Sequence, residues 1–405
     1  MTSDDAQALT ARSLVETAAA LAAGEVSVLE VTQAVLARAQ SEQPRLNCFI
    51  ALEAEQALEQ ARGLDASRPK AGSAKPLWGV PLAHKDMFYR AGRITTCGSR
   101  IRADFRPDVT ATVLTRLDDA GAVTVGRLNM AEFATGPTGH NPHYGACRNP
   151  WHTDYITGGS SSGSGSATAA RIVFGALGSD TGGSVRLPAA ACGLFGMKPT
   201  QTRVSRFGTM GLSFSLDNIG PLARTARDCA RLLQTIAGYD ERDPTSSQFP
   251  VADYEAATLE PDVKGLRIGV PRQYFRDGLE PQVDDALNAS LHRFEGLGAQ
   301  IVEIDMPYAN VMGAMGSAIS GVEALALHRK WIAERRCEYG PQTLARHTSN
   351  LAVPAADYLS ALQARPRVIT DFVEQVFHHC DVLHIPVFST PLPTIVDTDV
   401  GDREG

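Results

Sequence analysis

Apolar residues recur at helical spacing through the first sixty positions, and this rhythm predicts helices over Ala11–Ala23, Val28–Ala39 and Leu52–Arg62. Ser27 and Glu30 stand as an N-cap and its third residue, the capping-box pattern, at the start of the second. Ser67–Lys75 is a polar loop, and the unbroken apolar run Trp78–Ala83 reads as a strand. The pattern then alternates between helix at Thr110–Ala120 and strand at Ala122–Gly126. Further on, strand Leu266–Val270, helix Val283–Leu297 and strand Gln300–Ile304 form a βαβ-like unit. A helix near Val368–His378 leads to a buried strand over Asp381–Val387. Alternation of this kind predicts an α/β fold, one large domain with a mixed, mostly buried β-sheet flanked by helices. Tyr239–Pro261 reads as an irregular surface excursion, and no internal repeat is present.

Composition adds limits. With 405 residues, 43% hydrophobic and 20% charged, the chain has ordinary globular make-up and length for a large core. A formal net charge of −7 argues against a broad nucleic-acid surface and leaves room only for a local basic patch. No apolar run reaches membrane-spanning length, and the acidic opening Met1-Thr2-Ser3-Asp4-Asp5 lacks a secretory signal's basic and apolar regions. Seven scattered cysteines form no C-x-x-C or C-x-x-H pair, so neither a zinc site nor a disulfide framework is expected. Free buried thiols in a reducing cytoplasm, without metal or cofactor, is the expectation.

Chemistry concentrates in residues 158–184. Two clusters of glycine and serine flank the run Ala167–Val173, which, as a helix, would fold the chain back and bring them together. A flexible linker fits poorly, because neither side looks like a domain boundary. Gly159-Ser160-Ser161-Ser162-Gly163 satisfies G-x-S-x-G, yet a loop rather than a strand precedes it, so a nucleophile elbow is not indicated. No Gly-Lys-Ser/Thr marks a phosphate loop, and Ser67-Arg68-Pro69-Lys70 is an S-x-x-K match in an unfavourable polar setting. The second cluster, Gly178 to Ser184, is better suited to acyl transfer. Glycines at 182 and 183 open an approach to backbone N–H groups that can hold a developing oxyanion, where one donor is worth about 3 kcal/mol of barrier. Ser184 is then the candidate nucleophile. It needs a base, either one of ten histidines or a lysine held neutral by burial, such as Lys85 at the end of an apolar strand.

Seven segments, in order, resemble the amidase signature family of Ser–Ser–Lys hydrolases. They are Gly79-Val80-Pro81 with Lys85-Asp86, then Thr95–Ser99, Gly126–Phe133 and Gly158–Ser161, then Gly178–Ser184 with Arg186 and Pro188, Cys192–Thr200 and Ser215–Pro221. The match is dense over residues 78–228, between an N-terminal helical segment (1–65) and a βαβ-rich C-terminal part (262–391). The resemblance implies that Ser184 is acylated, that Ser160 follows a cis peptide bond and relays the proton, and that Lys85 is the final base. It also implies an oxyanion hole and substrate region of Thr181, Gly182, Gly183, Ser184, Ser161, Asn129 and Met130, with Asp180 and Arg186 as orienters behind them. Two departures stand out: Ser162 replaces a common glycine, and the chain ends soon after Pro386–Thr394, so the fold is expected without the family's last C-terminal strands.

The resemblance implies an amidase acting on a small carboxamide through an acyl-enzyme. The first alternative is the glutaminase component, the A subunit, of a glutamine-dependent aminoacyl-tRNA amidotransferase. Arg186-Leu187-Pro188, where that component usually carries Arg-Gln-Pro, favours the stand-alone enzyme. The second alternative is a truncated, non-catalytic relative. Expected partners are a small-molecule amide and at most a homodimer, with no direct nucleic-acid or membrane contact.

Overall fold

The computed structural model describes residues 3–70, 72–260 and 262–399, with the side chains of residues 3–5 left out. Pro261 of the expected excursion and the end of the polar tail lie outside the described residues. Two compact units are distinguishable: residues up to Leu259 with Lys330–Leu344 and the stretch from Pro393, and a second unit of Glu260–Arg329 with Ala345–Leu392.

The first unit is built on a six-stranded mixed sheet. Its strands are β1 (Phe49–Leu52), β2 (Pro81–Lys85), β3 (Val123–Leu128), β4 (Gly175–Asp180), β5 (Phe195–Gly196) and β6 (Asn218–Ala223), in the order β1-β3-β2-β4-β6-β5. β2 lies parallel to both β3 and β4, while β1, β5 and β6 run antiparallel to their neighbours. β2 is a central strand covered on both faces, so every one of its residues is buried, His84 and Lys85 included.

Helices pack around this sheet. Leu14–Ala23 and Val28–Leu46 each begin with a complete capping box, Ser13 with Glu16 and Ser27 with Glu30. Their inner faces bury Leu14, Leu21, Val28, Val31 and Val35. The second helix runs beyond the expected Ala39 because Gln40–Gln43 only changes its outer face, and it ends where Asn47 turns left-handed at φ 51°. The Asp65 carboxylate accepts the Val28 and Leu29 N–H groups at 2.9 Å each, and Asp228 accepts that of Val15 at 3.0 Å. These helix starts are thus anchored by distant carboxylates as well as their own caps.

The second unit holds a parallel three-stranded sheet, β7 (Arg267–Pro271), β8 (Gln300–Ile304) and β9 (Val382–Leu383), in the order β8-β7-β9. Helix Pro281–Gly296 connects β7 to β8, as the βαβ reading expects. β9 is shorter than the expected Asp381–Val387. The sequence reading passes over helix Ala309–Glu334, whose apolarity comes largely from Ala, Gly and Met. By length and composition alone that helix could cross a membrane, contrary to the expectation that no segment could, although it carries buried Glu323 and His328.

The glycine- and serine-rich stretch is no linker: a helix and a strand fill its middle, and short loops hold its two ends. Ser162–Ala169 is a helix, earlier in the chain than the expected Ala167–Val173, and β4 follows after the turn at residues 170–174. Its small residues are a packing requirement. A Cβ on Gly163 would stand 2.5 Å from the Cys48 carbonyl oxygen, and one on Gly165 2.9 Å from Pro188 Cβ. Its buried serine hydroxyls are satisfied by backbone, Ser164 Oγ donating to Leu177 O at 3.0 Å and Ser166 Oγ to Arg148 O at 2.7 Å, whereas the buried Thr168 hydroxyl has no partner among the described residues.

Gly163→Ala is therefore expected to destabilise the protein by about 1–3 kcal/mol through overpacking against backbone. Gly63, in helix Ala54–Ala66, has open space where a Cβ would go. Gly63→Ala is expected to stabilise by about 0.5–1 kcal/mol. Urea midpoints of the two variants, with unchanged slopes, check both.

Candidate active site

The ends of three strands and the start of one helix converge. β2 delivers Lys85, β4 delivers Ser179 and Asp180, and β6 starts beside them, with Asn218 paired to Asp180. Ser160 and Ser161 lie just before helix Ser162–Ala169, and the Gly159–Ser160 peptide is cis.

Lys85 is 1% exposed, and its Nζ lies 2.7 Å from Ser160 Oγ and 2.9 Å from Ser179 Oγ. Burial pulls its pKa from 10.5 down to about 7, against the opposing pull of the Asp180 and Asp217 carboxylates. Near neutral pH a substantial fraction of the amine is uncharged and able to accept a proton.

Ser184 sits half-buried in the loop between β4 and helix Arg186–Cys192. The Ser161 N–H donates to its carbonyl at 3.3 Å, which ties that loop to the Ser160–Ser161 turn. Ser161 Oγ donates to Ser179 O at 3.2 Å. Gly178 leaves the room, since a Cβ there would meet Ser161 Oγ at 2.6 Å.

Asp180 shapes the loop from within. Its Oδ1 accepts the Gly183 N–H at 2.8 Å and Arg186 Nη2 at 2.7 Å, and its Oδ2 accepts the Val185 N–H at 3.1 Å and Arg186 Nε at 3.0 Å. Burial raises its pKa, but the Arg186 bonds and charge with the loop N–H groups outweigh that and hold it below the usual carboxylate range. Gly183 is at φ 137°, a conformation strained for any residue with a Cβ. Its N–H faces Asp180, whereas Thr181 and Gly182 lie at the loop surface. The Thr181 hydroxyl donates to Asp217, which in turn accepts the Leu212 and Ser213 N–H groups at 2.8 and 3.0 Å.

Asn129 and Met130 are both fully buried. The Asn129 side-chain amide donates to Asn47 O and Gly145 O, at 3.1 Å each, and its oxygen accepts the Met130 N–H at 2.8 Å. Asn129 thus fastens β3 to its surroundings. The structure adds Ser179, which the sequence reading passes over although it lies within a segment that reading singles out. Strand alternation through 175–180 is the signal that could have found it, had glycines not disguised the strand. It also adds Asp86, which accepts Arg127 Nη1 at 2.9 Å and the Thr96 N–H at 2.9 Å and so braces the turn after Lys85.

Fold and buried Lys–Ser contact put the chain in the class of amide C–N bond hydrolases. It matches the Amidase family model over residues 30–403 and belongs to that family. The A subunit of the glutamyl-tRNA(Gln) amidotransferase from Azotobacter vinelandii (strain DJ / ATCC BAA-1303) is 51% identical over 73% of this chain and 60% of its own length. Its counterpart from Pelobacter propionicus (strain DSM 2379 / NBRC 103807 / OttBd1) is 41% identical over 92% of this chain and 81% of its own length. The chain thus spans about three fifths of the first relative and about four fifths of the second. Among solved structures, one from a vestigial protein complex reported to reveal the origins of an s-triazine catabolic enzyme superposes with TM-score 0.90 at 36% identity, covering 95% of this chain and 83% of that one. The corresponding amidotransferase protein of Thermotoga maritima superposes with TM-score 0.78 at 31% identity, covering 92% and 78%.

These relatives correct the partner expectation of a small-molecule amide and at most a homodimer. Those from Azotobacter and Pelobacter are each named as one component of a larger enzyme, and that enzyme is named for a tRNA. Motifs around the reacting groups report the chemistry and carry no signal for what docks elsewhere, while a net charge of −7 averages over local surfaces.

Lys85 binds a proton more weakly folded than unfolded, so the unfolded chain holds the extra proton between about pH 7 and 10.5. Stability contributed through this group therefore rises with pH across that window. Lys85→Met is expected to gain most relative to the parent below pH 7 and progressively less toward pH 10. Urea denaturation at several pH values reads the difference, and a pH-independent offset would contradict the assignment.

Proposed function

We propose that the chain is an amidase that releases ammonia from an amide donor, glutamine by preference, as the glutaminase component of an amidotransferase assembly in the cytoplasm. The observation that carries the chemistry is the 2.7 Å contact between the buried Lys85 amine and Ser160. Ser184 attacks the amide carbonyl, its proton passes through Ser160 to Lys85, and the same path returns a proton to the departing ammonia. Water then hydrolyses the acyl-enzyme on Ser184 by the reverse relay. The oxyanion is held by the N–H groups of Thr181, Gly182 and Ser184, since Asp180 occupies that of Gly183.

The amidotransferase relatives support this reading over a stand-alone small-amide enzyme. Leu187 is a weak counter-argument, because it is one half-buried side chain packed on Gly183. Seven free cysteines, six of them buried, fit a reducing compartment.

Intact mass after treatment with a fluorophosphonate probe tests the relay. One adduct is expected, absent in Ser184→Ala and formed at least about 10²-fold more slowly in Ser160→Ala and Lys85→Ala. The labelling rate of the parent is expected to rise with pH through about 7, as Lys85 loses its proton. Ammonia release from glutamine should exceed that from simple carboxamides. A folded chain that stays unlabelled would instead identify a non-catalytic relative.

A further inference from the structure

Away from the serines, a surface cavity of about 280 Å³ opens at the C-terminal end of helix Ser162–Ala169, and it is lined by Arg38, Arg45, Arg171, Pro150 and Trp151. Three guanidinium groups on one small cavity are unexpected in a protein of net charge −7. Only Arg45 is neutralised locally, by Glu42 at 2.7 Å. Among the described residues no carboxylate pairs with Arg38 or Arg171. Arg38 spends its Nε on Ala170 O at 2.8 Å, leaving the outer nitrogens of its fork, and exposed Arg171 projects from a left-handed backbone at φ 58°. The Arg224 guanidinium lies close enough to be repelled by both.

Trp151 gives this cavity a second kind of surface. It is 75% exposed, yet its Nε1 already donates to Cys192 O at 2.8 Å. The ring edge is thus fixed and its donor used, so what it offers a ligand is a flat aromatic face. A carboxylate-bearing partner would use the arginines and leave that face idle. A nucleotide uses both: its phosphate accepts from Arg forks and its base stacks on indole.

We propose that this cavity binds a nucleotide unit, with the phosphate on Arg38 and Arg171 and the base on Trp151. The ligand chemistry is shared by a free nucleotide and by an RNA strand. The proposal stands apart from the Ser184–Ser160–Lys85 relay, and fluorophosphonate labelling is expected to be unchanged in R171Q.

The test titrates the full chain with adenosine monophosphate, a single-stranded hexa-adenylate RNA and poly-glutamate, following tryptophan fluorescence and the anisotropy of labelled RNA. Trp151 is the exposed tryptophan, so a stacked base quenches it. Saturable quenching by adenosine monophosphate alone identifies a free-nucleotide site, and quenching by RNA at lower concentration identifies a strand. In either case affinity is expected to fall as salt rises, and R171Q to weaken it about tenfold. W151L should abolish the quench and weaken RNA anisotropy binding about fivefold or more, from lost stacking. Absence of saturable binding by both nucleotide probes overturns the proposal, as does binding indifferent to R171Q and W151L. Binding of poly-glutamate with failure of both nucleotides overturns it too, and assigns the cavity to an acidic protein segment instead.

Discussion

A lysine amine sealed from water is the constraint around which the first unit is organised. Burying an ammonium without compensation is costly, and the structure meets that cost by weakening the charge rather than pairing it. Lys85 has two hydroxyls, Ser160 and Ser179, as direct partners, and the Asp180 and Asp217 carboxylates act only through space. A carboxylate in direct contact would keep the amine permanently protonated and useless as a base. Two neutral acceptors leave it near the point where it can take or give a proton at neutral pH. The depth of the site, at the end of a central strand buried on both faces, is therefore what lowers the amine's proton affinity.

Placing those hydroxyls requires unusually close backbone approach. Helix Ser162–Ala169 lies against the Cys48 carbonyl, Asn129 and Pro188 at distances that only glycine permits. Buried carboxylates then fix the loops around the amine. Asp180 gathers the Gly183 and Val185 N–H groups together with Arg186, and Asp86 holds Thr96 and Arg127. Each has its lone pairs satisfied from several directions, so removing any one partner leaves a buried acceptor short.

Family membership and substrate are separate questions here. The fold is shared with hydrolases of varied names, among them a peptide amidase from Stenotrophomonas maltophilia at 29% identity and TM-score 0.79. What favours an ammonia-releasing component is resemblance along most of the chain to amidotransferase proteins. One side chain, Leu187, had pointed the other way, and a single position beside the loop carries little weight against that.

The chain's own pattern determined much. The Ser27–Glu30 capping box placed one helix start, Val28, to the residue, because an N-cap and its third residue are local chemistry, whereas the same box at Ser13 and Glu16 went unread and that helix begins at Leu14 rather than Ala11. Alternating strand and helix gave the mixed α/β architecture, and the ordered motifs marked Lys85, Ser160 and Ser184. Other features were decided by tertiary structure alone. β4 was hidden because Gly175, Gly178 and Ser179 have poor strand propensity, and only pairing with β2 and β6 makes them a strand. With β4 unseen, Ser179 could not be placed on Lys85. Asn129 and Met130 read as substrate contacts, yet their burial is set by distant segments, Asn47 and Gly145 among them. The Gly183 N–H was assigned to an oxyanion, and only the folded loop turns it toward Asp180. Local sequence fixes which groups are available, but direction and depth come from residues far away in the chain, and those decide a buried amine's proton affinity.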